Sequence, residues 1–194
     1  MTYKLIALDI DGTIKNFNNE ISPVTQKSLE NVREAGALVT IATGRSFSSA
    51  VTATKSLNLN SAIISFQGAH IADPSTSEVL WHMPLTEEMT LSTLDYLKYW
   101  TGEILVFVKH RIYVNRLTEW TESYVDRNGV EIVKVNDLNS IALKKPTRLV
   151  LVGDEIDIET VENSLIGHFH DKLHVTRSLP NFCEILHPFS GKHK

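Results

Sequence analysis

Residues 4–13 have the sequence KLIALDIDGT, in which an apolar run stops at two carboxylates. An uninterrupted apolar run of this length predicts a strand buried on both faces, as in a parallel sheet. Asp9 and Asp11 follow that strand directly, where carboxylates are costly to bury without a partner. Because open α/β sheets hold their ligands at the carboxyl ends of strands, the segment predicts a ligand site at the end of this strand.

Two carboxylates separated by one residue are compatible with three roles. Their oxygens suit Mg2+, which usually keeps waters and a substrate phosphate among its ligands. An aspartate can also attack phosphorus and form an aspartyl-phosphate. The structural alternative is an acidic turn that caps a following helix, and the D-x-D pattern alone does not distinguish it from the other two.

A second apolar segment, residues 38–45 with the sequence LVTIATGR, also ends in polar residues. The end of a strand and the start of a helix direct backbone N–H groups towards an anion. Thr43 adds a hydroxyl donor, and the planar guanidinium of Arg45 suits phosphate oxygens. Near the C-terminus, Lys192 follows Gly191. Together these residues favour a phosphate ligand over the purely structural alternative.

The three motifs in this order, DIDGT, ATGR and a late lysine, resemble those of the haloacid dehalogenase (HAD) superfamily. The most similar branch is the Cof-like sugar phosphatases, which carry a large cap domain between the second and third motifs. The resemblance implies an α/β fold with an incomplete Rossmann-like parallel-sheet core and an inserted α+β cap domain. We place the core in residues 1–83 and 188–194 and the cap in residues 84–187, because prolines and a change of pattern mark these boundaries.

The resemblance also implies roles for the site residues. Asp9 would be the nucleophile and a Mg2+ ligand. Asp11 would protonate the leaving oxygen and then activate water, and its main-chain carbonyl would be a second Mg2+ ligand. The residues that would hold or neutralise the phosphoryl group are Thr43, Gly44, Arg45 and Lys192. Residues 66–70, FQGAH, resemble the family's N-G-A turn with Gln67 in place of asparagine. Gln67 could contact the substrate or could only shape the turn, and we favour the turn.

One motif of the family is missing. The fourth motif, G-D-x-x-N-D, supplies a further carboxylate to the metal, and nothing follows Lys194 in this sequence. The single G-D pair, at Gly153 and Asp154, lies in the expected cap and lacks the N-D. We therefore expect a shortened chain whose Mg2+ binding and turnover are impaired. Its first strand would lose a neighbour and expose an apolar edge, which favours self-association through the incomplete core sheet.

The composition limits the partners and the compartment. The chain has 19 basic and 23 acidic residues, a net charge of −4 and no basic run, so we expect no nucleic-acid partner. No apolar run approaches the roughly 20 residues that span a bilayer, so we expect no membrane partner, and no secretory signal precedes the first strand. The single cysteine, Cys183, excludes an intramolecular disulfide framework and fits the reducing cytoplasm, where we expect the protein.

The leading interpretation is a Mg2+-dependent phosphatase that hydrolyses small phosphorylated metabolites, such as sugar phosphates, through an aspartyl-phosphate. A phosphomutase of the same superfamily would return the phosphoryl group to a sugar instead of releasing phosphate. A non-catalytic phosphate-binding or regulatory module is favoured by the missing fourth motif. The presence of both Asp9 and Asp11 argues against such a module, because a binding module has no evident need of two carboxylates.

Overall fold

A computed structural model gives the fold of the chain and describes residues 3–16, 18, 20–128 and 130–191. The chain divides into two compact units, Met1–His82 with Gly191–Lys194 and Met83–Ser190, which we call the first unit and the second unit. The second unit is therefore inserted between two segments of the first. The two units meet in the sequence at 82/83 and 190/191, and the boundaries that we placed from the sequence were at 83/84 and 187/188.

The first unit is built from short strands and two helices. Its strands are β1 (Leu5–Leu8), β2 (Leu38–Ile41), β3 (Ile63–Ser65), β4 (His70–Ala72) and β5 (Val79–His82). Its helices are α1 (Pro23–Glu34) and α2 (Phe47–Ala53), and 3-10 turns cover Lys55–Leu57 and Phe66–Gly68. β1 and β2 pair in parallel, and β3, β4 and β5 form an antiparallel sheet. A parallel bridge between Ala42 and Ile64 connects the end of β2 to β3, as a parallel core requires.

Helix α1 begins and ends where its sequence predicts. The Ser22 hydroxyl accepts the N–H of Thr25 at 3.1 Å, and Pro23 occupies the first turn. Gly36 has a φ of +89°, which ends the helix and turns the chain towards β2. Because one helix connects β1 to β2, the two strands run in the same direction and their carboxyl ends lie at the same edge.

The burial of β1 differs from the prediction. Leu5 is 53% exposed and Ala7 is also exposed, so the prediction of a strand buried on both faces is wrong. Leu5 and Ala7 project from the same face of β1, and their exposure shows that this face is open to solvent. Among the described residues, β1 is also hydrogen-bonded only to β2 and has no strand at its other edge. The expected apolar edge is therefore present, and self-association through it stays a prediction.

The second unit combines helices with one mixed sheet. Its strands are β6 (Glu103–Val108), β7 (Arg111–Val114), β8 (Glu131–Lys134), β9 (Arg148–Val152), β10 (His174–Leu179) and β11 (Phe182–Leu186). Its helices are α3 (Glu87–Tyr96), α4 (Glu119–Asn128) and α5 (Glu155–Phe169), with 3-10 turns at Leu138–Lys144 and His170–Lys172. The strand order β10-β11-β9-β6-β7-β8 gives a 6-stranded sheet and confirms the expected α+β architecture. In the part of the chain that the structure describes, no helix is long and apolar enough to cross a membrane.

One hydrophobic core stabilises the second unit. It joins buried side chains of α3 and α5 to one face of the sheet, among them Leu94, Ile158, Leu165 and Ile185. Cys183 is fully buried in the same core, and burial raises the pKa of its thiol to about 12. Cys183 is therefore a small core residue rather than a nucleophile.

A buried ion pair lies within the sheet of the second unit. Arg148 on β9 and Glu184 on β11 have side chains that are 7% and 6% exposed, and Arg148 Nη1 lies 2.8 Å from Glu184 Oε2. The guanidinium also lies over the ring of Phe107, 4.4 Å from its centroid. Both charges have lost water, so each depends on the other for compensation.

Candidate active site

The first acidic motif forms a tight turn after β1. Ile10 is fully buried, whereas Asp9 is half-buried and Asp11 is exposed. The Ile10 carbonyl accepts the N–H of Lys15 at 3.0 Å, which bends the chain back on itself. Gly12 permits the bend, because its φ of +72° is unfavourable for residues with a side chain. The turn therefore anchors its apolar residue in the core and leaves both carboxylates accessible to solvent.

The Asp9 carboxylate is oriented by its own turn. The N–H of Ile10 donates to Asp9 Oδ1 at 2.8 Å. A backbone donor of this kind restricts rotation of the carboxylate about its side-chain bonds. Asp9 is thus an oriented carboxylate at the carboxyl end of β1, which is the position that a nucleophile would need.

The second motif continues from β2 into α2. Thr43 is 1% exposed, and its N–H donates to the Ile64 carbonyl at 2.9 Å. The N–H of Arg45 donates to Thr43 Oγ1 at 3.2 Å, so the hydroxyl keeps its own hydrogen for another acceptor. Ser46 then caps α2 through its side chain. These bonds fix the backbone of the motif on both sides of Gly44.

Pairing of β1 with β2 brings the two motifs together. The N–H of Ala42 donates to the Leu8 carbonyl at 2.9 Å, so the two strands end side by side. Arg45 then reaches Asp11, with Nη2 2.7 Å from Oδ1 and Nε 2.8 Å from Oδ2. This bidentate pair engages both carboxylate oxygens of Asp11. The sequence predicted both residues in one site but did not predict their pairing.

The 3-10 turn after β3 packs against the second motif. The N–H of Phe66 donates to the Arg45 carbonyl at 2.9 Å, and the N–H of Gln67 donates to the Thr43 carbonyl at 3.1 Å. The Gln67 side chain lies against Gly44, since a Cβ atom on Gly44 would be 2.5 Å from Gln67 Nε2. Gln67 therefore lies directly beside the second motif, whereas from the sequence we favoured a turn-shaping role over contact with the substrate. The sequence feature that could have indicated this position is the similarity of residues 66–70 to the N-G-A turn.

Lys192 lies outside the described residues, but the residue before it is placed. A Cβ atom on Gly68 would lie 3.2 Å from the Gly191 carbonyl oxygen, and Gly68 has a φ of +94°. Gly191 therefore packs closely on the turn that contains Gln67. The role of Lys192 in binding phosphate stays a prediction.

The donors named for Mg2+ are the Asp9 carboxylate and the Asp11 main-chain carbonyl. Both are oxygen donors, and Mg2+ is commonly held by one or two carboxylates together with waters and substrate phosphates. Within the residues that the structure describes, no group of three or more His, Cys, Asp or Glu side chains is placed to hold a metal ion. The chemistry of these two donors suits Mg2+ with water and substrate oxygens as its remaining ligands, and Mg2+ binding here stays a prediction.

Several sequence relatives of the chain are named as phosphatases. A family model for haloacid dehalogenase-like hydrolases matches residues 6–194. The Bacillus subtilis protein named "Putative phosphatase YxeH" is 27% identical over 198 residues, which cover 98% of this chain and 72% of that protein. The 5-amino-6-(5-phospho-D-ribitylamino)uracil phosphatase YitU of Bacillus subtilis is 25% identical over 163 residues, which cover 83% of this chain and 60% of that protein. The chain thus spans only part of the length of these relatives.

Solved structures share the fold. A haloacid dehalogenase-like hydrolase from Bacteroides thetaiotaomicron has a TM-score of 0.83 and 26% identity, over 98% of this chain and 73% of that chain. The HAD subclass IIB sugar phosphatase BT4131 has a TM-score of 0.78 and 20% identity, over 98% of this chain and 72% of that chain. At that identity the second likeness concerns the fold alone. Together with the observed sheets, these structures confirm the expected fold class.

Proposed function

Because the chain belongs to the haloacid dehalogenase-like hydrolases, we propose that it is a Mg2+-dependent phosphatase of small phosphorylated metabolites that acts through an aspartyl-phosphate. The observation that carries the proposal is the position of Asp9 and Asp11 after β1, beside the 43–45 turn after β2. Asp9 is oriented by the Ile10 N–H, and the guanidinium of Arg45 binds the neighbouring Asp11, so positive charge is present in the turn that carries the proposed nucleophile, as phosphoryl transfer to a carboxylate requires. The names "Putative phosphatase YxeH" and "5-amino-6-(5-phospho-D-ribitylamino)uracil phosphatase YitU" support the same reaction.

In the first step, the Asp9 carboxylate attacks phosphorus. A bond forms between an Asp9 oxygen and phosphorus, while the bond from phosphorus to the leaving oxygen breaks and Asp11 supplies that oxygen with a proton. In the second step, Asp11 takes a proton from water, which attacks the aspartyl-phosphate and releases phosphate and free Asp9. The hydrogen bond from Ile10 N–H to Asp9 Oδ1 keeps the carboxylate oriented for attack.

Arg45 has two competing partners in this mechanism. In the structure its guanidinium binds both oxygens of Asp11, and Asp11 held in this way is not available to protonate a leaving group. A phosphate group offers the same fork of oxygens with more negative charge. Substrate binding therefore moves Arg45 from Asp11 to the phosphoryl oxygens and releases Asp11 for its acid–base steps.

The remaining site residues offset the repulsion between an anionic nucleophile and an anionic substrate. The Thr43 hydroxyl, the Gly44 amide and the Lys192 ammonium hold the transferring phosphoryl group. Mg2+ would be held by the Asp9 carboxylate and the Asp11 main-chain carbonyl, and it supplies further positive charge when bound.

The second unit, Met83–Ser190, takes the role of the cap, which excludes water and selects the leaving group. The substrate is a small phosphorylated metabolite such as a sugar phosphate, and the net charge of −4 argues against a nucleic-acid partner. The cytoplasm is the proposed compartment, supported by the single buried thiol of Cys183. Self-association through the exposed edge of β1 is supported by the 53% exposure of Leu5.

Replacement of Asp9 by asparagine tests the reaction. An amide nearly keeps the shape of the carboxylate but is not an anionic nucleophile. Hydrolysis of p-nitrophenyl phosphate with Mg2+ should therefore fall at least about 1000-fold, while circular dichroism stays unchanged. Asp95→Asn is the matched control, because the Asp95 side chain lies on α3 and is 79% exposed, and it should keep wild-type turnover. Residual turnover in Asp9→Asn above about one part in 1000 would refute covalent catalysis by Asp9.

A non-catalytic phosphate-binding module is the second candidate, and the bidentate Arg45–Asp11 pair favours it, since it engages the proposed acid. Such a module would bind inorganic phosphate but release none from p-nitrophenyl phosphate at any Mg2+ concentration. A phosphomutase, in contrast, would transfer the phosphoryl group to an added sugar rather than to water. Phosphate release with and without an added sugar acceptor therefore distinguishes all three.

A further inference from the structure

The Gln67 backbone has a conformation that glutamine does not favour. Its φ and ψ are +55° and +28°, and the preceding Phe66 also has a positive φ of +50°. The left-handed region is unfavourable for residues with a Cβ, and asparagine is among the residues that tolerate it best. The turn alone would therefore favour asparagine or glycine at this position. A longer side chain held in strained backbone at a candidate site points to a function of that side chain.

The Gln67 side chain reaches the middle of the second motif. A Cβ atom on Gly44 would lie 2.5 Å from Gln67 Nε2 and 3.0 Å from Gln67 Cδ. The carboxamide therefore lies directly beside the α-carbon of Gly44, and Gln67 is half-buried there. An asparagine in the same backbone would be one methylene shorter and would reach less far.

The backbone of the turn is already hydrogen-bonded to the second motif. The N–H of Gln67 donates to the Thr43 carbonyl at 3.1 Å, and the N–H of Phe66 donates to the Arg45 carbonyl at 2.9 Å. These two bonds fix the turn to the segment that the proposed mechanism assigns to the phosphoryl group. The carboxamide of Gln67 carries two N–H donors and one acceptor oxygen. Beside Gly44, its N–H group can donate to the anion that the Gly44 amide binds.

We propose that Gln67 is a substrate-binding residue whose carboxamide donates a hydrogen bond to a phosphoryl oxygen held at the 43–45 turn. The inference rests on the proposed function for the identity of the ligand as a phosphate. Gln67 adds a directional donor without adding charge. Its contribution therefore changes little with ionic strength, unlike that of Arg45.

Three substitutions separate binding by Gln67 from turn shaping. Gln67→Met keeps the length and removes the amide, Gln67→Gly removes the side chain and relieves the backbone, and Gln67→Asn keeps a shorter amide. The first two should bind inorganic phosphate about 3- to 10-fold more weakly, the range for one lost hydrogen bond. The KM for p-nitrophenyl phosphate should rise by the same factor with little change in kcat, because the bond exists in both ground and transition states. Gln67→Asn should lie between wild type and Gln67→Met.

The midpoint of urea unfolding separates the two roles. If Gln67 only shaped the turn, its replacement would change the midpoint and phosphate affinity together. In Gln67→Gly the positive φ is no longer unfavourable, so the midpoint should stay or rise while phosphate affinity falls. Gln26→Met is the matched control, because Gln26 on α1 donates to the Ile21 carbonyl at 3.1 Å. That control should lower the midpoint without changing phosphate affinity.

Gly44→Ala tests the contact between Gly44 and Gln67 independently. The added Cβ would occupy the space of the Gln67 carboxamide, so phosphate affinity should fall when Gln67 is present and fall much less in a Gln67→Gly background. Equal losses in the two backgrounds would overturn the assignment. Wild-type phosphate binding by both Gln67→Met and Gln67→Gly would overturn it as well.

Failure of the proposed function gives a different result. A wild-type chain that binds inorganic phosphate but hydrolyses no p-nitrophenyl phosphate refutes the phosphatase, and the affinity measurements still decide the role of Gln67. A wild-type chain that binds no inorganic phosphate overturns both proposals.

Discussion

Arg45 binds the Asp11 carboxylate through two hydrogen bonds, from Nη2 to Oδ1 at 2.7 Å and from Nε to Oδ2 at 2.8 Å. The pair joins the turn after β1 to the turn after β2. The Arg45 and Asp11 side chains are 28% and 57% exposed. An exposed ion pair contributes at most about 1 kcal/mol, so a phosphate ligand can displace Asp11 from Arg45 at small cost.

Arg45→Lys keeps the charge and removes the planar fork. We expect kcat/KM for p-nitrophenyl phosphate to fall by about 10- to 100-fold, because bidentate contact with the phosphoryl oxygens is lost. Steady-state kinetics measure this effect. Arg111→Lys is the control, since Arg111 makes an exposed pair with Glu131 at 2.8 Å in the second unit and should leave kcat/KM unchanged. A wild-type kcat/KM in Arg45→Lys would contradict the phosphate-binding role.

Gly68→Ala should reduce both stability and phosphate binding. The new Cβ would lie 3.2 Å from the Gly191 carbonyl oxygen at a φ of +94°, so we expect a loss of about 1–3 kcal/mol in the free energy of unfolding. Inorganic phosphate should bind more weakly, because Gly191 precedes Lys192. Urea unfolding and calorimetric titration with phosphate measure the two effects.

Gly167→Ala is the matched control for Gly68→Ala. Gly167 lies within α5 and has nothing within 4 Å of its Cβ position, so alanine should raise the free energy of unfolding by up to about 1 kcal/mol. If Gly68→Ala unfolds and binds phosphate as the wild type does, the close approach of Gly191 is not required for the site.

Glu184→Ala should be strongly destabilising. It leaves the Arg148 guanidinium buried without its carboxylate, and we expect a loss of about 3–5 kcal/mol in the free energy of unfolding. Glu131→Ala removes an exposed partner of Arg111 and should change it by less than about 1 kcal/mol. Urea unfolding followed by circular dichroism compares the two. Similar losses in both variants would mean that burial of the Arg148–Glu184 pair does not govern its contribution.

Leu5→Lys should weaken self-association. Leu5 is 53% exposed on β1, and a lysine at an open strand edge disfavours pairing with another strand. Sedimentation velocity should show a concentration-dependent species for the wild type and a monomer for the variant. Val24→Lys, on the 76% exposed Val24 of α1, should associate as the wild type does. A wild type that is monomeric at all concentrations would contradict the prediction.

Local sequence signals predicted the bounds of α1 because they act over a few residues. The Ser22 cap, Pro23 in the first turn and the left-handed Gly36 each determine backbone geometry within their own turn. The hairpin of β6 and β7 is local in the same sense, because the two strands pair antiparallel across a short turn. The parallel order of β1 and β2 followed from the helix between them.

The features that the sequence did not predict depend on residues distant in the chain. The exposure of Leu5 depends on which elements pack on its face of β1, and an apolar run carries no information on those elements. The Arg45–Asp11 pair joins residues 34 positions apart, and the carboxamide of Gln67 reaches Gly44 through a turn with two consecutive positive φ values. The motifs predicted that Asp11 and Arg45 share one region of the fold. Which side chain contacts which depends on the tertiary structure.

Gly191 packs on Gly68 only after translation has passed through the whole of Met83–Ser190. The ribosome makes the acidic turn, the 43–45 turn and Gln67 long before that point. A nascent chain therefore contains Asp11, Arg45 and Gln67 before the glycine that packs on the turn of Gln67 has been synthesised. Assembly of the site is thus coupled to the synthesis of the segment after residue 190, and an interrupted translation product contains the acidic half without this contact.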